Sequence, residues 1–148
     1  MRRRQSSNNK DKGHSSMSKR ILQIATAILA AVPVATGALG MMGIHDPLYA
    51  SLGVALPADA TLDSNLRFYA GVWFGLGLGA FWTIPNIERN GVLFRALWTM
   101  IFVGGIGRLI SLVSLGAPFP PFIGFTVLEI VGAPLFVWWQ RRVAATAG

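Results

Sequence analysis

The sequence predicts an all-α integral membrane fold: an antiparallel up-down four-helix bundle in a bacterial inner membrane, with both termini cytoplasmic. Three observations predict it. The 148 residues are 53% apolar and only 13% charged, unlike an ordinary soluble domain. Four apolar runs long enough to cross a hydrocarbon layer alternate with segments rich in Pro, Gly, Asn and Asp. The basic residues gather at alternate ends of those runs, as cytoplasmic flanks do.

Residues 1–20 read as a disordered basic cytoplasmic tail. They hold seven of the thirteen Lys and Arg residues and almost nothing to bury. Beside a long apolar run, such a tail faces anionic lipid; no second basic patch with interleaved aromatics points to nucleic acid, and none is expected as a partner. Met17 lies inside this stretch and competes with Met1 as the biological start. The first helix spans about residues 21–42. It exceeds the core of a signal peptide, which is the competing reading, and its alanines and glycines suit close helix packing. Pro33 lies within it and removes one backbone donor.

Residues 43–65 hold three aspartates and no Lys or Arg, and read as an external loop. The second helix covers about 66–84 and stops at Pro85-Asn86. A short loop with Glu88 and Arg89 leads to the third, about 91–115, which Gly116 and Pro118-Phe119-Pro120-Pro121 terminate. The fourth covers about 122–139 and ends at Arg141-Arg142, leaving residues 143–148 as a short tail. Basic residues flank the predicted inner ends, while loops 43–65 and 116–121 have none.

Gly71, Gly75 and Gly79 recur every fourth residue on one face of the second helix, and Gly104 and Gly107 open a side of the third. These five are candidate helix-packing positions, within the bundle or at the seam of a homo-oligomer. The Gly-rich run lacks the strand and acidic partner of a dinucleotide site.

Two charges fall inside predicted crossings. Arg108 lies seven residues from the outer end of the third helix and Glu129 seven from the outer end of the fourth, each ~10 Å deep at helical rise. Antiparallel neighbours bring them level, and pairing is the ordinary escape from the cost of an isolated intramembrane charge. Ser111 extends this constellation, and Asp63, Asn65, Arg67 and Tyr69 lie at the external mouth of the second helix, with Arg67 able to reach toward Glu129 or to the headgroups. One reading makes the pair a register pin between helices. The other makes it a polar cavity for a small ligand, a lipid headgroup or a proton.

The chain has no cysteine, which excludes disulfides and thiolate chemistry. His45 alone makes no zinc or haem set, and neither metal nor cofactor is predicted. Asp63 and Glu129 lie at different levels with no activated nucleophile beside them, so a catalytic carboxylate pair is not assigned.

The stretches Asn65-Leu66-Arg67-Phe68-Tyr69-Ala70-Gly71 and Gly104-Gly105-Ile106-Gly107-Arg108-Leu109-Ile110-Ser111, then Gly116-Ala117-Pro118 and Glu129, resemble an uncharacterised bacterial family of small four-helix membrane proteins, a domain of unknown function. The likeness is strongest over residues 65–139. It implies the membrane topology and marks Asn65, Arg67, Arg108 and Glu129 as the core of the family pattern, without implying a substrate. Three functional classes remain open, in this order. The first is an accessory or structural subunit of a larger membrane complex. The second is a small-molecule or lipid-binding or transport protein working at Arg108 and Glu129. The third is a lipid- or quinone-modifying enzyme.

Overall fold

A computed structural model describes residues 2–147, with side chains for residues 16–146. The described backbone is all α, without strands. Its elements are α1 (Arg2–Gly40), a 3₁₀ turn (Gly43–His45), α2 (Pro47–Ser51), α3 (Ala60–Thr83), α4 (Gly91–Leu115), α5 (Pro120–Val127), a π-helical segment (Leu128–Gly132) and α6 (Ala133–Ala147).

Several boundaries differ from the sequence expectation. α1 begins at Arg2, where the composition reads as a disordered tail. Extending an existing helix adds one hydrogen bond per residue without a new nucleation cost, so a polar sequence can prolong it. α3 starts at Ala60 within the expected loop, because the Asp59 carboxylate accepts the Leu62 amide at 2.8 Å and caps the helix. The rest of that loop holds α2, where Asp46 caps Leu48 at 2.9 Å and Pro47 occupies the first turn. α4 matches its expected range, ended by Gly116 at φ 92°, a conformation that favours glycine.

The fourth expected helix is broken by the π segment. Pro134 follows it closely: proline has no N–H to offer the Ile130 carbonyl, and its ring would collide with that carbonyl in a regular α-helix. A widened turn just upstream relieves both problems, and Glu129 lies in that turn.

Three helical stretches are long and apolar enough to cross a membrane: Ser16–Gly40, Gly91–Leu115 and Pro120–Thr146. α3 has the length but not the hydropathy, since its glycines, tryptophans and Arg67 dilute it. Beyond a small buried core that includes Leu22, Ile87 and Phe94, burial departs from that of a soluble protein. Val113 and Leu115 are 80% and 88% exposed, whereas Thr83 and Gln140 are at 0% and 1%. At most 28% of any of the three apolar windows is buried. Apolar residues outward and polar residues inward mark a membrane protein, whose outer solvent is hydrocarbon.

The chain divides into two compact units, residues 24–84 and residues 1–23 with 85–148. In the first, α1 and α3 approach at backbone distance. A Cβ on Gly37 would lie 2.7 Å from the Phe74 nitrogen, one on Gly40 2.8 Å from the Ala70 Cβ, and one on Gly77 3.0 Å from the Ala30 oxygen and the Pro33 ring. Gly77 thus makes room for Pro33, and Trp73 Nε1 donates to Thr36 Oγ1 at 2.9 Å. In the second unit, Trp98 stacks on Phe136 with centroids 4.4 Å apart, and Phe94 and Trp139 extend the cluster. Gln140 Nε2 donates to the Ile87 carbonyl at 2.9 Å, Trp139 Nε1 to Ser18 Oγ at 2.9 Å, and Lys19 pairs with Glu88 at 2.9 Å. These contacts bind α1 at Ser18 and Lys19, the turn after Pro85 and α6 into one unit.

Candidate functional site

The site is built where α4 meets the π segment. Gly105 lies one helical turn before Arg108 on the same face, and a Cβ there would come within 2.8 Å of the Glu129 Cβ and 3.1 Å of Ile130 Cδ1. Because position 105 has no side chain, the widened turn lies directly against α4. Glu129 is 6% exposed, and its carboxylate straddles Arg108 Nε: Oε1 accepts a hydrogen bond at 3.1 Å, and Oε2 lies at 3.0 Å but out of line for one. The Phe122 ring covers the guanidinium, 5.5 Å from Cζ to its centroid.

The pair is asymmetric. The Arg108 side chain is 39% exposed and that of Glu129 8%. Glu129 engages only Nε, so Nη1 and Nη2 donate no hydrogen bond among the described residues. Beside them, Gly104, Gly107 and Ser111 are exposed, and a Cβ on either glycine meets nothing within 4 Å. The result is four Nη N–H donors without a hydrogen-bond partner among the described residues, on a stretch of α4 left bare at Gly104 and Gly107.

The residues at the start of α3 form a separate cluster in the other unit. Arg67 donates through Nε to Asp63 Oδ2 at 2.7 Å and through Nη2 to Oδ1 at 3.2 Å. Its remaining donors reach the Met41 carbonyl at 2.7 Å and the Met42 carbonyl at 3.1 Å. Those carbonyls follow α1, whose last turn has no basic residue of its own, so α3 supplies the C-terminal cation. Asp63 Oδ1 also accepts the Ile44 amide at 3.0 Å. The Arg67 hydrogen bond, then the Ile44 amide, holds the Asp63 carboxyl below its ordinary range. Gly43 completes this clamp: its φ is 66°, and an added Cβ would run into the Asp63 carboxylate and come within 2.9 Å of Arg67 Nε.

Arg67 is therefore spent on Asp63 and the end of α1, and the Glu129 carboxylate on Arg108. Asn65 and Tyr69 are exposed, with Tyr69 edge-on to Phe68 at 5.7 Å. Gly71 and Gly75 face open space, like Gly104 and Gly107, so the close approaches fall at Gly37, Gly40, Gly77 and Gly105. Repeats of four mark a face but not which glycines make contact among the described residues. The contacts of Gly43, Gly105 and Gln140 left no signal in sequence spacing, whereas Pro134 two residues after Gly132 is a cue to the π segment.

Glu88 Oε1 pairs with Lys19 in the turn at 84–90, and Oε2 is buried without a partner. Burial works against its charge, but the Lys19 ammonium, a backbone hydrogen bond and the Arg89 charge together keep the carboxyl below its usual range. Among the described residues, no group of three His, Cys, Asp or Glu side chains is placed to hold a metal ion.

The framework of the site, from the start of the first apolar run to Gln140, coincides with a family model described as "Domain of unknown function (DUF4345)", which matches residues 21–140. The chain belongs to this family. Gly105, Arg108, Glu129 and the Asp63–Arg67 clamp all lie in the matched span of this domain of unknown function, and the basic leader lies before it. No curated protein and no solved structure matches the chain.

Proposed function

We propose that this chain is a multi-pass protein of the bacterial inner membrane, crossing four times with both termini cytoplasmic, that binds a membrane-soluble small molecule or lipid at Arg108 and Glu129. One observation carries the binding reading. Glu129 is buried and holds Arg108 by Nε alone, leaving the Nη nitrogens of a part-exposed guanidinium without a hydrogen-bond partner among the described residues. A pair serving only to lock two helices satisfies its donors internally, since hydrocarbon offers no water to do so. The charge asymmetry of the loops supports the topology, with α3 supplying the fourth crossing from about residue 66: the stretch from there to Thr83 spans ~27 Å at helical rise.

Native mass spectrometry of the full-length protein after mild extraction tests this. A retained small molecule or lipid, lost in Arg108→Ala and kept in Arg142→Ala, is the expected result. Protein that emerges free of any Arg108-dependent molecule overturns it. A second reading, an accessory subunit of a larger assembly, draws on the outward glycines of α3: Gly71 and Gly75 meet nothing within 4 Å, and Phe68 and Val72 beside them are exposed. Stoichiometric copurification of another membrane protein, abolished by Gly71→Leu, is the outcome that favours it.

A further inference from the structure

A guanidinium carries five N–H donors, one on Nε and two on each Nη. Glu129 takes the Nε side of Arg108, and the four Nη hydrogens make no hydrogen bond among the described residues, on a side chain that is 39% exposed. Arg108 lies seven residues from the end of α4, ~10 Å inside it at helical rise, within one of the three apolar stretches. A donor edge at that depth needs acceptor oxygens, and lipid chains have none.

Charge decides which acceptors suit it. Arg108 and Glu129 together are neutral, so the guanidinium is already balanced. An oxyanion on the Nη edge would leave one net negative charge in hydrocarbon, and a phosphate headgroup would also have to be drawn down from the interface. A neutral carbonyl accepts the same hydrogen bonds and leaves the balance untouched. Resting on the proposed ligand site at this pair, we infer that the Nη edge of Arg108 receives the uncharged carbonyl oxygen of a membrane amphiphile. Glu129 is then a positioning residue: it fixes Nε from the buried side and turns the free edge outward. Ser111, one turn beyond Arg108 and exposed, offers a further hydroxyl donor on the same side of α4.

Two sources offer this chemistry, the acyl esters of the bilayer's own lipids and a free lipophilic carbonyl compound. The experiment is native mass spectrometry of the full-length protein in lipid nanodiscs. It compares retention of a diester phosphatidylglycerol with its diether analogue, which has the same headgroup and chains but no ester carbonyl. A decyl-1,4-benzoquinone and its dimethoxybenzene counterpart, which lacks carbonyls, serve as competitors.

Retention of the diester about tenfold over the diether, the scale of a hydrogen bond to a charged group, is expected if the ester is the ligand. Arg108→Lys keeps the charge and the pairing with Glu129 but loses the two-nitrogen edge, and brings that ratio near one. Displacement of both lipids by the quinone and not by the dimethoxybenzene also supports the inference and assigns the free source. Equal Arg108-dependent retention of diester and diether, indifferent to the quinone, means that the headgroup anion is bound. That overturns the carbonyl inference and leaves the ligand site standing. No Arg108-dependent retention of any probe overturns both. If Arg108→Lys does not fold, the diester-to-diether ratio and the competitor pair on the wild-type protein decide the matter.

Discussion

Replacing Gly105 with alanine tests the tightest contact of the site, and the adjacent Gly104 provides its control. A Cβ at position 105 would lie 2.8 Å from the Glu129 Cβ and 3.1 Å from Ile130 Cδ1. Carbon atoms prefer ~3.5–4.0 Å, so α4 and the π segment must part by up to about 1 Å. Over-packing of this kind costs about 1–3 kcal/mol. The same exchange also gains about 1 kcal/mol of helix propensity, which hides part of the loss. Gly104→Ala makes the same gain with nothing within 4 Å to collide with. The difference between the two variants cancels propensity and isolates the contact, giving about 1–3 kcal/mol with Gly105→Ala the less stable. Reversible unfolding in bicelles, read by steric trapping, measures both. Equal stabilities, or Gly104→Ala as the weaker variant, would refute the packing of α4 on the Glu129 turn.

Four further outcomes follow from the clamp and the loops. Gly43→Ala must pay both the αL penalty, about 1–2 kcal/mol, and a collision with Asp63, whereas Gly53→Ala at φ 69° pays the backbone term alone, so the same unfolding assay should rank Gly43→Ala lower. Arg67→Met leaves the Met41 and Met42 carbonyls without their cation, and hydrogen exchange should quicken at Ile44, whose amide the Asp63 carboxylate accepts; unchanged exchange there refutes the clamp. Asp63 titrates below its ordinary value of 3.8 when folded, so its stabilising effect is complete above that pH and lost as pH falls through the lower, folded value; the protection of the Ile44 amide, relative to its intrinsic exchange rate at each pH, should fall over that acid range, and Asp63→Asn should abolish that change in protection. Reporter fusions should place residue 148 in the cytoplasm and residue 54 outside it, and a shared location for both contradicts an odd number of crossings between them.

Sequence alone determined that this is an all-α membrane protein, because the length of an apolar run and its freedom from charge are local properties set by the thickness of the hydrocarbon layer. It also marked Gly116, where α4 gives way to a residue at positive φ, and singled out Arg108 and Glu129, since a charge within such a run stands out without any structure. Tertiary structure decided the rest. Which glycines carry contact depends on what lies opposite them, so Gly37, Gly40, Gly77 and Gly105 touch other helices while Gly71, Gly75, Gly104 and Gly107 face open space. The use of Arg67 depends on where α1 ends, and only the fold brings two carbonyls with no other cation in reach of α3. The half-used guanidinium of Arg108 depends on which of its nitrogens the buried Glu129 engages, a matter of side-chain geometry at a widened turn that no spacing in the sequence records.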